Sequence, residues 1–230
     1  MNVTRALILA ALLPLLRGQS PPVLTITTTQ PDDRVTLTIR NLAPVPLTAY
    51  FYKRVGWSVF GDGRKGGEVL EIGYKDAAVG LGDNPIPPNQ EATVTIRNGE
   101  VTFLAALWAD GTSYGDPQSV SRMRERRAAA QLHNDNAIAI LHKALDTGED
   151  TPALIRQLQT IVDGITRNTV HMDDTAVLRG YYQPTIRALA NPDSNVRDLN
   201  GTWVHLTERE IIQLRLDNLR QWQDRLQQYR

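Results

Sequence analysis

The hydrophobic period of this chain changes once, and that change limits what it can fold into. Up to the stretch ADGTSYGDP at residues 109–117, apolar side chains recur at every second position; beyond it they recur at every third and fourth. Successive strand side chains point to opposite faces, whereas positions i, i+3 and i+4 share one helix face. A chain ordered this way predicts an α+β protein in two segregated parts, β-rich first and helical second.

In the first part, Leu24 and Ile26 alternate with threonines, and Val35, Leu37 and Ile39 alternate with Thr36, Thr38 and Arg40. Val94 and Ile96 alternate likewise, as do Val101, Phe103, Ala105 and Leu107. Residues 47–54 and 68–74 have strand composition, and residues 112–114 add a short seventh strand. Asn98-Gly99 predicts a hairpin between two of these runs, since both residues tolerate positive φ. Seven strands in about a hundred residues predict an immunoglobulin-like antiparallel β-sandwich over residues 20–116.

Residues 117–230 predict an α-helical domain, a hairpin or bundle. A first helix carries Val120, Met123, Ala130, Ala137, Ile138, Leu141, Ala144 and Leu145 at helical spacings and ends at Thr147-Gly148. A second starts at Thr151 with Pro152 in its first turn and buries Leu154, Ile155, Leu158, Ile161, Val162 and Ile165. A third, over residues 174–190, is broken or kinked by Pro184. The turn-rich residues 191–201 predict an exposed loop. The last helix opens on a capping box, Thr207 with Glu210. Its stripe of Ile212, Leu216, Leu219, Trp222, Leu226 and Tyr229 lies close to a 3.5-residue seam. Such a seam wants a partner helix, in this chain or in a second copy.

The N-terminus predicts export. Arg5 precedes an apolar run over residues 6–16, well short of the ~20 residues a membrane-spanning helix needs. That is the pattern of a signal peptide over residues 1–19, with Gly18 or Ser20 as the small residue at the cut. Its removal leaves 23 basic against 25 acidic residues, which argues against a nucleic-acid partner. Cysteine is absent, excluding disulfides and thiol catalysis. The expected location is periplasmic or extracellular, with no integral membrane segment in the mature chain.

Motif by motif, chemistry is sparse. Residues 61–66 (GDGRKG) match G-x-G-x-x-G, but a dinucleotide site needs a helix next, and residues 68–72 read as a strand. Arg122, Arg124, Arg126 and Arg127 spread around their helix at about 100° per residue, so a solvated face fits better than an anion-binding stripe. His133, His142, His171 and His205 offer no i, i+4 pair for zinc, and Asp173 or Asp174 beside His171 reads as a helix cap. Tyr50, Tyr52 and Trp57 are candidate ligand contacts, since exposed aromatic rings stack on sugars; Trp222 is the matching candidate in the helical part. Within residues 109–117, Asp110 and Asp116 invite a calcium reading, yet the D-x-[DN]-x-[DN]-G signature is missing. The better reading is a junction: Asp110-Gly111 turns the chain, Asp116 caps a helix, and Pro117 takes its first position.

Asn41-Leu42, then Pro46-Leu47-Thr48-Ala49-Tyr50, Pro87-Pro88-Asn89-Gln90-Glu91, and Trp108-Ala109-Asp110-Gly111-Thr112 with Gly115-Asp116 together resemble uncharacterised secreted bacterial proteins. The resemblance spans roughly residues 23–127. It implies an immunoglobulin-like or fibronectin-III-like domain and carries no catalytic assignment. Three function classes follow: an exported non-catalytic protein that binds another macromolecule, a carbohydrate-binding module, and an enzyme with an unrecognised site. No catalytic residue, cofactor or metal ligand is assigned; the expected partner is a protein or a glycan.

Overall fold

The alternating residues form strands and the residues with helical spacing form helices, in the order expected from sequence. The computed structural model describes residues 24–29, 34–59, 65–79, 84–97, 99–168, 172–191, 196–197 and 203–229. The strands are β1 (Leu24–Thr29), β2 (Arg34–Asn41), β3 (Leu47–Val59), β4 (Lys65–Asp76), β5 (Glu91–Arg97), β6 (Gly99–Trp108) and β7 (Ser113–Gly115). They are followed by α1 (Pro117–Thr147), α2 (Thr151–Asn168), α3 (Met172–Arg179) and α4 (Gln183–Ala190). A short pair, β8 (Val196–Arg197) and β9 (Trp203–Val204), precedes α5 (Glu208–Gln228). The protein is α+β. Residues 1–19, read from sequence as a signal peptide, lie outside the described residues.

The first seven strands make two antiparallel sheets, ordered β1-β2-β5 and β4-β3-β6-β7. Leu37 and Ile39 of one sheet meet Leu47, Tyr50, Ala106 and Trp108 of the other in a shared core. Leu47 and Tyr50 reach the same core despite odd and even numbering because the β3–β6 register slips by one residue at Thr48. Such a bulge turns every later side chain to the opposite face. Ala49, Phe51, Ala105 and Leu107 therefore point the other way, where Val120 and Met123 of α1 cover them.

Inside the shared core Asn41 is fully buried. Its carboxamide nitrogen donates to the carbonyls of Val45 (2.8 Å) and Ile86 (2.9 Å). Its side-chain oxygen accepts from the Ala43 N–H (3.1 Å) and the Trp108 indole N–H (3.0 Å). Every hydrogen-bonding position of the side chain is filled, which is what makes its burial tolerable.

Two sequence expectations need correction, and a third is refined. Asn98-Gly99 does not join a hairpin: β5 pairs with β2 and β6 with β3 and β7, so this link passes from one sheet to the other. A glycine pair member signals a turn but not which strand lies beyond it. As expected, the 174–190 segment is broken near Pro184: it divides into parts of α3 and α4, with Pro184 in the first turn of α4, where its missing N–H costs nothing. The loop expected at residues 191–201 contains β8, paired with β9.

By its contacts the chain divides into Met1–Met123 with Tyr229–Arg230, and Arg124–Gln228. Sequence puts the boundary at 116/117. The first two turns of α1 belong to the sheet unit because Val120 and Met123 are part of its core. Within the second unit α2 packs on α3 and α4, and α4 on α5. Among the described residues no helix is long and apolar enough to cross a membrane.

Candidate functional site

The helical unit contains a cleft of about 240 Å³ between α5 and the start of α4. Its position follows from local sequence. Thr207 and Glu210 close their capping box, the Thr207 N–H donating to the Glu210 carboxylate at 2.8 Å. That fixes the start of α5, whose apolar rows Ile211, Ile212, Leu216, Leu219 and Leu226 are buried. Arg215 lies one turn beyond Ile211 and one turn before Leu219, so the helix carries a guanidinium at the edge of its own apolar stripe. It lines the cleft with Asn218, Leu219 and Trp222.

The opposite wall is the α3–α4 turn, Gly180 and Tyr181, with Pro184 and Thr185 of α4. Tyr182 anchors that turn. Its hydroxyl donates to the His133 carbonyl (3.1 Å) and so accepts from His133 Nδ1–H (2.9 Å) and from the Asn136 carboxamide (3.2 Å). Burial pushes the His133 imidazole below its ordinary value, which favours the uncharged ring. Burial also pushes the Tyr182 hydroxyl up, partly opposed by the Asn136 bond. With Tyr182 held, the neighbouring Tyr181 ring meets Trp222 edge to face, 5.0 Å between centroids.

Arg215 is the unusual member. Its Nε–H is buried and finds no hydrogen-bond partner among the described residues. Burial pulls the guanidinium below its ordinary value, yet arginine keeps its proton at neutral pH. The positions one turn away on its helix are Ile211, Ile212, Asn218 and Leu219, with no acid. Asp217 is held by Gln213 and Arg220, and Glu208 by Thr151. A half-buried cation without a counter-charge is costly unless something else fills that role.

The other sequence candidates fall elsewhere. Tyr50 is buried in the inter-sheet core and Tyr52 packs against it, their rings 6.4 Å apart. That pair faces inward and offers no flat exposed platform. Trp57 lies in β3, but its side chain is outside the described residues. Trp222 does line the cleft.

The 109–117 stretch is a turn followed by a helix start. The Asp110 carboxylate accepts from the Thr112 N–H (3.0 Å) and hydroxyl (2.7 Å), and Gly111 has φ +82°. Asp116 accepts from the Ser119 N–H (2.8 Å) and hydroxyl (2.7 Å), and Pro117 is the first residue of α1. These bonds lower the Asp116 carboxyl below its ordinary value. Of the G-x-G-x-x-G match, residues 61–64 lie outside the described residues; Lys65-Gly66 opens strand β4 rather than a helix. His171 is also outside them, and Asp173 and Asp174 fall in the first turn of α3. Arg122 stands over the Phe51 ring at 5.8 Å. Among the described residues no three of His, Asp and Glu converge.

Sequence reasoning singled out Trp222 and missed Arg215, Tyr181, Thr185 and Asn218. One signal was present: a cation interrupting the i, i+4 row Ile211, Arg215, Leu219.

Neither a protein-family model nor a curated protein matches this chain. Among solved structures, the Northeast Structural Genomics Consortium target SoR45 is similar over 43% of this chain and 71% of its own, at 20% identity and a TM-score of 0.20. A structure described as pT26-6p is similar over 90% of this chain and 49% of its own, at 12% identity and a TM-score of 0.16. At those scores neither likeness bears on fold or function.

Proposed function

We propose that this chain is an exported, non-catalytic binding protein that engages another macromolecule in the bacterial envelope or outside the cell, with the cleft of the helical unit as its contact site. The observation that carries this reading is Arg215, a half-buried cation whose Nε–H has no partner among the described residues, beside an aromatic pair. Its neighbours suit recognition: a guanidinium and a carboxamide bind by donating hydrogen bonds, and neither exchanges protons near neutral pH. Aromatic and arginine side chains in a desolvated pocket are also the residues on which binding energy concentrates.

The apolar run at residues 6–16 supports export, and the absence of cysteine suits an envelope protein that relies on packing alone. For the first unit we favour an immunoglobulin-like or fibronectin-III-like sandwich. Its sheets, β1-β2-β5 and β4-β3-β6-β7, follow the A-B-E and C′-C-F-G neighbour pattern, with β4 beside β3 as C′ lies beside C. A buried tryptophan, Trp108, lies in their shared core. The carbohydrate-module reading has less behind it, because Tyr50 is core.

The test is a photo-crosslinking residue placed at position 218 in the full-length chain, expressed in a bacterial host, with a control at exposed position 118. The expected result is a chain trimmed after residues 17–20 in the envelope or medium. It should give one discrete adduct from position 218, lost when Trp222→Ala is added. An intact Met1 chain in the cytosolic fraction, or equal adducts from both positions, would overturn the proposal.

A further inference from the structure

We infer that the cleft binds a carboxylate borne on an apolar or aromatic body, with Arg215 as the anion's partner; this rests on the cleft being the contact site. The first argument is charge. Among the described residues Arg215 is the one cation lining the cleft, and its Nε–H has no partner there. A single guanidinium matches a carboxylate, which takes two parallel N–H bonds from its planar fork. Phosphate groups are more often met by clusters of cations or by successive backbone N–H groups. Asn218 adds a donor beside Arg215 and Thr185 a hydroxyl across from it.

The second argument is shape. Tyr181 and Trp222, from opposite walls, meet edge to face, and Pro184 and Leu219 add apolar surface beside them, which suits a ligand whose charge is confined to one end. The volume of about 240 Å³ lies below the ~300 Å³ at which clefts for drug-sized ligands begin. It accommodates one apolar residue with its carboxylate rather than an oligosaccharide or a nucleotide.

That chemistry has two sources, the C-terminal residue of a peptide chain and a free organic acid. Calorimetric titration of the full chain separates them with N-acetyl-Ala-Ala-Phe, its C-terminal amide, and 3-phenylpropionate. The peptide acid is expected to bind, with the amide weaker by about tenfold or more, the loss expected for a bidentate charge-assisted pair. Arg215→Gln should weaken the acid to the level of the amide. Arg215→Lys, which keeps the charge without the fork, should recover only part.

A peptide acid tighter than 3-phenylpropionate supports a macromolecular ligand. Equal affinities retain the carboxylate inference while overturning the macromolecular reading. Amide and acid binding alike, no binding of either acid, Arg215→Gln binding as the parent does, or inorganic phosphate displacing 3-phenylpropionate at a lower concentration would each overturn the carboxylate assignment.

Discussion

At the scale of single residues, one polar side chain in each unit has a role that can be tested: Asn41, fully buried, and His133, half-buried. Asn41 ties together residues 41–45, residues 86–90 and Trp108. Beyond its four side-chain bonds, its backbone N–H donates to the Gln90 carbonyl (2.9 Å) and its carbonyl accepts from the Asn89 N–H (2.7 Å). Asn41→Ala would strand the Trp108 indole N–H and two carbonyls in the core, and should cost about 3–5 kcal/mol in urea unfolding. A loss below about 1 kcal/mol would contradict the role given to Asn41.

His133 governs a pH response. Burial lowers its folded value below the ordinary imidazole value, so between the two the unfolded chain holds more protons. Stability from this group is complete above about pH 6.5 and declines as pH falls through the folded value. Asp116 and Glu210, lowered by their cap hydrogen bonds, add stability that is lost only in stronger acid, below about pH 4. Denaturation at pH 7 and pH 5 should show weakening that His133→Gln reduces; an unchanged pH dependence in that variant would reject the assignment.

At the scale of elements, the helix starts and stops were the most legible part of the chain. Asp116 with Pro117, Thr207 with Glu210, and Gly148 all act within one turn of themselves, so local sequence suffices. Gly148, at φ +64°, ends α1, and the Glu149 N–H returns to the Ala144 carbonyl at 3.1 Å. Strand partnership was less legible, because the slip at Thr48 and the passage from β5 to β6 depend on residues far away in sequence.

The two positive-φ glycines that bracket α1 separate backbone strain from crowding. Gly148 has open space around it, whereas a Cβ on Gly115, at φ +103°, would lie 2.1 Å from the Leu104 carbonyl oxygen. Gly148→Ala should cost about 1 kcal/mol and Gly115→Ala about 2–4 kcal/mol by chemical denaturation. Equal costs would mean that the approach at Leu104 is not a constraint.

At the scale of the whole molecule, the order of β-rich and helical parts was readable from period alone, whereas the cleft was readable only in part. Trp222 stood out as an aromatic on a seam. Arg215 did not, because an arginine on an amphipathic helix ordinarily reaches solvent, and only packing shows which one does not. Tyr181 and Thr185 come to the cleft from the α3–α4 turn and the start of α4, where sequence placed a break or kink at Pro184 but no partner for it.

The central claim is that recognition belongs to this cleft. The most direct measurement is a ¹H–¹⁵N NMR titration of the full chain with N-acetyl-Ala-Ala-Phe, using Trp222→Phe to assign the Trp222 indole resonance. The account predicts saturable shifts at the Trp222 indole, Asn218 and Tyr181, with residues of β3 and β6 unmoved. Shifts confined to the strands, or a Trp222 signal that stays still at saturating peptide, would contradict it.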